Sequence, residues 1–162
     1  MIICLDIDDC IFLNRNTWVT TMDDNFEILE INLKRLRKIL DFYDAKIFIT
    51  SAWSSILMLE SSNIIYDNPA YGLHGKSYYA EEFKAFELLQ KYLNGYVIGL
   101  SCGNRKRDIA NLLEQNHKII AIDDMDLSEI LHENYLYLKV NGFIQNIHLY
   151  EIYNFMQLTE RG

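Results

Sequence analysis

The chain has 162 residues, enough for one domain with a single substantial core. Half of them are hydrophobic and 23% charged; a formal net charge of -8 and a pI near 4.9 argue against general nucleic-acid binding, which needs clustered Lys and Arg. Cys4, Cys10 and Cys102 lack paired spacing, which argues against a disulfide framework or zinc site, and no stretch reads as a signal peptide or membrane span, so a reducing cytoplasm is expected.

Ile2-Ile3-Cys4-Leu5 reads as a strand buried on both faces that delivers Asp6, Ile7, Asp8 and Asp9 to its C-terminal end. Open α/β sheets place their ligand crevices there. Crowded carboxylates are costly without a compensating cation or proton. A hard divalent ion such as Mg²⁺ takes oxygen ligands, so the pattern points to phosphate chemistry. Residues 10–31 show no sustained period and are expected to form a loop or small hairpin over the crevice. Asn32 is placed as the cap of a helix running to about Tyr43. Its inward face would hold Leu33, Leu36, Ile39, Leu40 and Tyr43, with Lys34, Arg35, Arg37 and Lys38 solvated.

Lys46 to Thr50 reads as a second buried strand ending in a hydroxyl, followed by Ser51. Residues 61–79 look irregular, with Asn68, Pro69, Gly72 and Gly75 as breakers. Tyr66, Tyr71, Tyr78 and Tyr79 could stack on bases, although packing is the more ordinary use of tyrosine. A helix follows at about 80–93, closed by Asn94-Gly95, then a third strand from Tyr96 to Leu100. A helix over residues 104–116 turns Ile109, Leu112 and Leu113 inward. Lys118 to Asp123 is a fourth strand and Tyr135 to Val140 a fifth; an Asn141-Gly142 turn leads to a last helix ending near Gln157. This alternation predicts a single α/β domain over residues 1–162, a three-layer Rossmann-like sandwich with a mostly parallel five-stranded sheet and no large cap.

Three strands thus end in Asp6/Asp8, Thr50/Ser51 and Asp123/Asp124, and Lys106 stands in the first turn of the helix before the last of them. One Asp after a strand is ordinarily a cap or turn residue. The four features together, in this order, carry the functional reading.

They resemble the haloacid dehalogenase-like (HAD) phosphohydrolase superfamily over about residues 1–145. Its Asp-x-Asp motif matches Asp6-Ile7-Asp8, and its strand ending in Thr or Ser matches Ile47 to Thr50. Its upstream cation is best matched by Lys106, with Arg105 and Arg107 as competitors, and its acidic pair matches Asp123-Asp124. Thr50-Ser51-Ala52-Trp53 is similar to the Ser-Ser-Trp-Arg segment of small capless members, some found in RNA end-repair proteins; Ser54 stands where the Arg is usual. Cys10 stands where the superfamily often has Thr. The resemblance implies Mg²⁺ held by Asp6, the Asp8 carbonyl and Asp123 or Asp124, with Asp6 as nucleophile and Asp8 as general acid and base. Thr50, Ser51 and Lys106 would hold the phosphoryl group of a phosphorylated small molecule, nucleotide or nucleic-acid end. Asp9 is assigned a structural role in the turn.

Two other readings are open. Residues 70–77 (Ala70 to Lys76-Ser77) match a phosphate-binding P-loop except for its first glycine, but Asn68-Pro69 interrupts the strand such a loop requires. A HAD-fold binding or regulatory module that has lost catalysis is the other. His74, His117, His132 and His148 show no ligand spacing.

Overall fold

The computed structural model describes residues 1–13, 22–66 and 80–160. Five strands form one parallel sheet: β1 (Ile2–Leu5), β2 (Lys46–Ile49), β5 (Val97–Leu100), β6 (Ile119–Asp123) and β7 (Tyr135–Lys139), in the spatial order β5-β2-β1-β6-β7. A separate antiparallel hairpin pairs β3 (Leu57–Glu60) with β4 (Asn63–Tyr66). The α-helices among the described residues are α1 (Met22–Tyr43), α2 (Ala80–Leu93), α3 (Arg105–Glu114) and α4 (Asn146–Glu160). The architecture is α/β and Rossmann-like.

Alternation along each strand builds two cores. Ile3 and Leu5 of β1, Ile47 and Ile49 of β2, and Ile120 and Ile122 of β6 face α1, α2 and α4. Ile2, Cys4, Ile119 and Ala121 face Ile109, Leu112 and Leu113 of α3. The chain winds β1-α1-β2 to one side of β1, then crosses back through α3 to place β6 on the other side. This crossing makes the gap between β1 and β6 the switch point of the sheet, where ligands of such folds bind.

Two expected boundaries are corrected. Asn32 does not cap α1; the helix begins ten residues earlier, at Met22, and Asn32 is fully buried within it. Phe26, Leu29, Leu33, Leu36 and Leu40 recur at three- and four-residue intervals and are buried, and each fully buried leucine contributes about 1.5–3 kcal/mol. The amide of Asn32 serves tertiary contacts instead. Its Nδ2 donates to the carbonyls of Ile11 (3.0 Å) and Gly142 (2.6 Å), and its Oδ1 accepts from the Ile144 N–H at 2.9 Å. Gly142, at φ 89 in a region that favours glycine, also donates its N–H to the Cys10 carbonyl at 2.7 Å.

The stretch from residue 61, expected to be irregular, opens with the second half of the β3–β4 hairpin. Its turn is Ser61-Ser62, both at positive φ (48 and 68). Such turns favour Asn-Gly or Asp-Gly, and the serines hide the hairpin from sequence inspection. The P-loop-like residues 70–77, and Tyr71, Tyr78 and Tyr79, lie outside the described residues. No helix among the described residues is long and apolar enough to cross a membrane.

Candidate metal centre at the switch point

β1 and β6 run parallel in register, Leu5 beside Ile122, and the Asp6 N–H donates to the Ile122 carbonyl at 3.0 Å. The next position on each strand is acidic. Asp6 follows β1 and Asp123 closes β6, each 1% exposed. One carboxylate oxygen from each of Asp6, Asp123 and Asp124 lies within 4.8 Å of the others. Arg105, the first residue of α3, reaches this cluster: Nη1 donates to Asp123 Oδ1 at 2.6 Å and Nη2 lies 3.2 Å from Asp6 Oδ1. The second contact is an ion pair without hydrogen-bond alignment. Asp6 Oδ1 and Asp123 Oδ2 are both buried and have no hydrogen-bond partner among the described residues.

Three carboxylates against one guanidinium leave two uncompensated charges when all are ionised. Burial pushes Asp6 up to about 7; Arg105 opposes this, and Asp123 and Asp124 add to it. Burial likewise raises Asp123, against the Met125 N–H and Arg105. An all-oxygen, anionic donor set with orphaned buried oxygens fits a hard divalent cation and suits soft thiolate-seeking metals poorly. The expected ligands Asp6, Asp123 and Asp124 therefore converge.

Asp8 lies outside this carboxylate triad. Its Oδ1 accepts a hydrogen bond from the indole Nε1–H of Trp53 at 2.7 Å. The chain turns back sharply to hold it: the N–H groups of Ile11 and Phe12 both donate to the Ile7 carbonyl, and Asp9 takes the left-handed conformation at φ 56. Asp9 thus sits in the turn. Trp53 is buried in a short 3₁₀ helix, Ala52–Ser55, whose cap Ser51 accepts the Trp53 N–H through Oγ at 3.4 Å. Thr50 is anchored beside β1 by its N–H, which donates to the Leu5 carbonyl at 2.9 Å. Thr50 and Ser51 line a cavity of about 530 Å³ together with Arg105.

Lys106 is not brought to this site. Its Nζ pairs with Glu129 and its side chain is half exposed, whereas Arg105 occupies the place expected of a cation. Asn104 caps α3 by accepting the Arg107 N–H, which starts the helix at Arg105. Arg105 then shares a face with Asp108, Ile109 and Leu112, and the next residue points about 100° away. The inward Ile109 and Leu112 were legible in sequence, and counting back four residues from Ile109 leads to Arg105. Trp53 entered the sequence reading only through the resemblance of Thr50-Ser51-Ala52-Trp53 to the Ser-Ser-Trp-Arg segment; nothing in the sequence announced its bond to Asp8.

Cys10 is buried, and burial followed by the Asp6, Asp123 and Asp124 carboxylates raises its thiol. It is a poor nucleophile. No family model matches the chain, and no curated protein or solved structure matches it.

Proposed function

We propose that the protein is a Mg²⁺-dependent phosphohydrolase of the haloacid dehalogenase-like kind, cleaving phosphomonoesters through an aspartyl-phosphate. The observation that carries this reading is the Asp6, Asp123 and Asp124 triad, in which Asp6 and Asp123 are buried and each has an oxygen with no hydrogen-bond partner among the described residues, at the switch point of a parallel sheet. A merely structural acid cluster would be expected to satisfy those oxygens with donors.

Asp6, Asp123 and Asp124 would hold the ion, with the Asp8 carbonyl as a further oxygen ligand. When bound, Mg²⁺ supplies charge neutralisation on the phosphoryl oxygens. Asp6 attacks phosphorus as the ester oxygen departs, forming the Asp6 carboxyl–phosphorus bond and breaking the bond to the leaving alcohol. Asp8 gives the leaving oxygen its proton. It then takes one from the water that displaces Asp6, releasing inorganic phosphate and restoring both carboxyl groups. Trp53 restrains Asp8 by one oxygen. Arg105 takes over the role expected of Lys106, favouring the ionised form of Asp6 and pairing with a phosphoryl oxygen. The Thr50 and Ser51 hydroxyls donate to the remaining oxygens.

Phosphate release from para-nitrophenyl phosphate tests the reading. Release in Mg²⁺ that stops in EDTA and returns when Mg²⁺ is restored is the expected result. Metal-independent release, or none from any phosphomonoester in a broad panel, would overturn it.

A further inference from the structure

We propose that the outer half of the 530 Å³ cleft is a subsite for the alcohol portion of the phosphoester, selecting a neutral, hydroxyl-rich group such as a polyol or sugar ring. This rests on the phosphohydrolase reading for its inner half.

The cleft lies at the C-terminal edge of the sheet, between the end of β2 and the end of the edge strand β5, and is lined by Thr50, Ser51, Ser54, Ser55 and Ser101 with Arg105. Two inter-strand steps put its far end roughly 10 Å from Asp6, a span that fits a phosphoester with a small polyol or one sugar ring. Its volume lies in the usual range for small-molecule sites.

The polarity of the hydroxyls divides it. Among the described residues nothing accepts the protons of the Thr50 and Ser51 hydroxyls, so both remain donors. With Arg105 they make the inner half suited to an anion. The outer serines have spent their protons. Ser54 Oγ donates to the Ile49 carbonyl at 3.0 Å, and Ser55 Oγ donates to the Ala52 carbonyl at 2.9 Å. Ser101 Oγ donates to Asp108 Oδ2 at 2.5 Å while accepting the Gly103 N–H at 3.1 Å. A carbonyl cannot donate, so the first two assignments follow from chemistry alone. What these serines offer the cleft is lone pairs. Lone pairs repel a second phosphate and accept from hydroxyl groups.

Calorimetric titration of the full chain with Mg²⁺ tests this, using the phosphonate isostere of glycerol phosphate and its deoxy counterpart, butylphosphonate. Neither can be hydrolysed at its carbon–phosphorus bond, so the reading does not depend on turnover. The dihydroxy compound should bind about tenfold tighter, as one or two net hydrogen bonds allow. Ser54→Ala should narrow that ratio by about threefold, and Ser54→Ala/Ser101→Ala should bring it near unity, each with the butylphosphonate affinity unchanged. Equal affinities in the native chain, binding of neither compound, or a ratio that survives the double substitution would overturn the subsite. A preference without phosphate release from glycerol phosphate would discard the reaction and keep the subsite; release without preference would do the reverse.

Discussion

The bond from the Trp53 indole to Asp8 Oδ1 couples a buried aromatic residue to the residue assigned proton transfer. Trp53→Phe keeps most of the packing and deletes the donor. It should lower kcat by about tenfold or more, within the range that general acid–base groups contribute, while leaving Mg²⁺ affinity within about twofold. An unchanged kcat would remove Trp53 from the mechanism. Asp6 makes a second prediction. Its ordinary value of 3.8 is pushed up to about 7, so between those limits the folded chain holds a proton that the unfolded chain has lost. Metal-free stability should therefore fall as pH rises from about 4 to about 7 and level off above, and Mg²⁺ should raise Tm more at about pH 8 than at about pH 5. Thermal melts at several pH values check both, and Asp6→Asn should flatten most of the slope. Residue identities at this scale were partly legible: the acids were plain because they terminate apolar strands. The choice of Arg105 over Lys106 was settled by a helix start one residue away, a distinction that composition cannot carry.

At the scale of elements, Asn32 ties α1 to the turn after β1 and to the chain between β7 and α4. Helix interiors disfavour Asn unless its amide finds partners, and here three backbone groups from two remote segments supply them. Asn32→Ala would leave those groups unpaired in the core and should cost about 3 kcal/mol in urea denaturation, with a loss below about 1 kcal/mol contradicting the tie. The same residue explains why the start of α1 was misread. A polar side chain at the head of an apolar face imitates a cap, and Asn is a favoured cap residue. The Phe26 and Leu29 positions carried the helical period upstream, but the surrounding acidic and Asn residues (Asp23, Asp24, Asn25, Glu27 and Glu30) obscured it. The hairpin was missed for a different reason: Ser61 and Ser62 adopt positive φ that sequence rules reserve for Asn and Gly. Strands β1, β2, β5, β6 and β7 were legible because each is an apolar or alternating run bounded by polar or turn residues.

Over the whole molecule, sequence could state that three strands end in functional groups, but not that β6 lies against β1. Adjacency comes from the crossover through α3, and it turns two distant aspartates into neighbours across one inter-strand gap. Among the described residues the layers are unequal, with α1, α2 and α4 covering one face and α3 the other, and α3 also delivers Arg105 to the acids. The net charge of -8 is compatible with the proposed function, in which a phosphorylated substrate would be held by a local cation site rather than by a basic surface. The direct test is the rate of phosphate release by Asp6→Asn beside the native chain at saturating Mg²⁺, with circular dichroism to verify the fold. Loss of at least about a thousandfold in kcat with the fold intact is predicted for a removed nucleophile. A folded Asp6→Asn protein that turns over within about tenfold of the native rate would contradict the account.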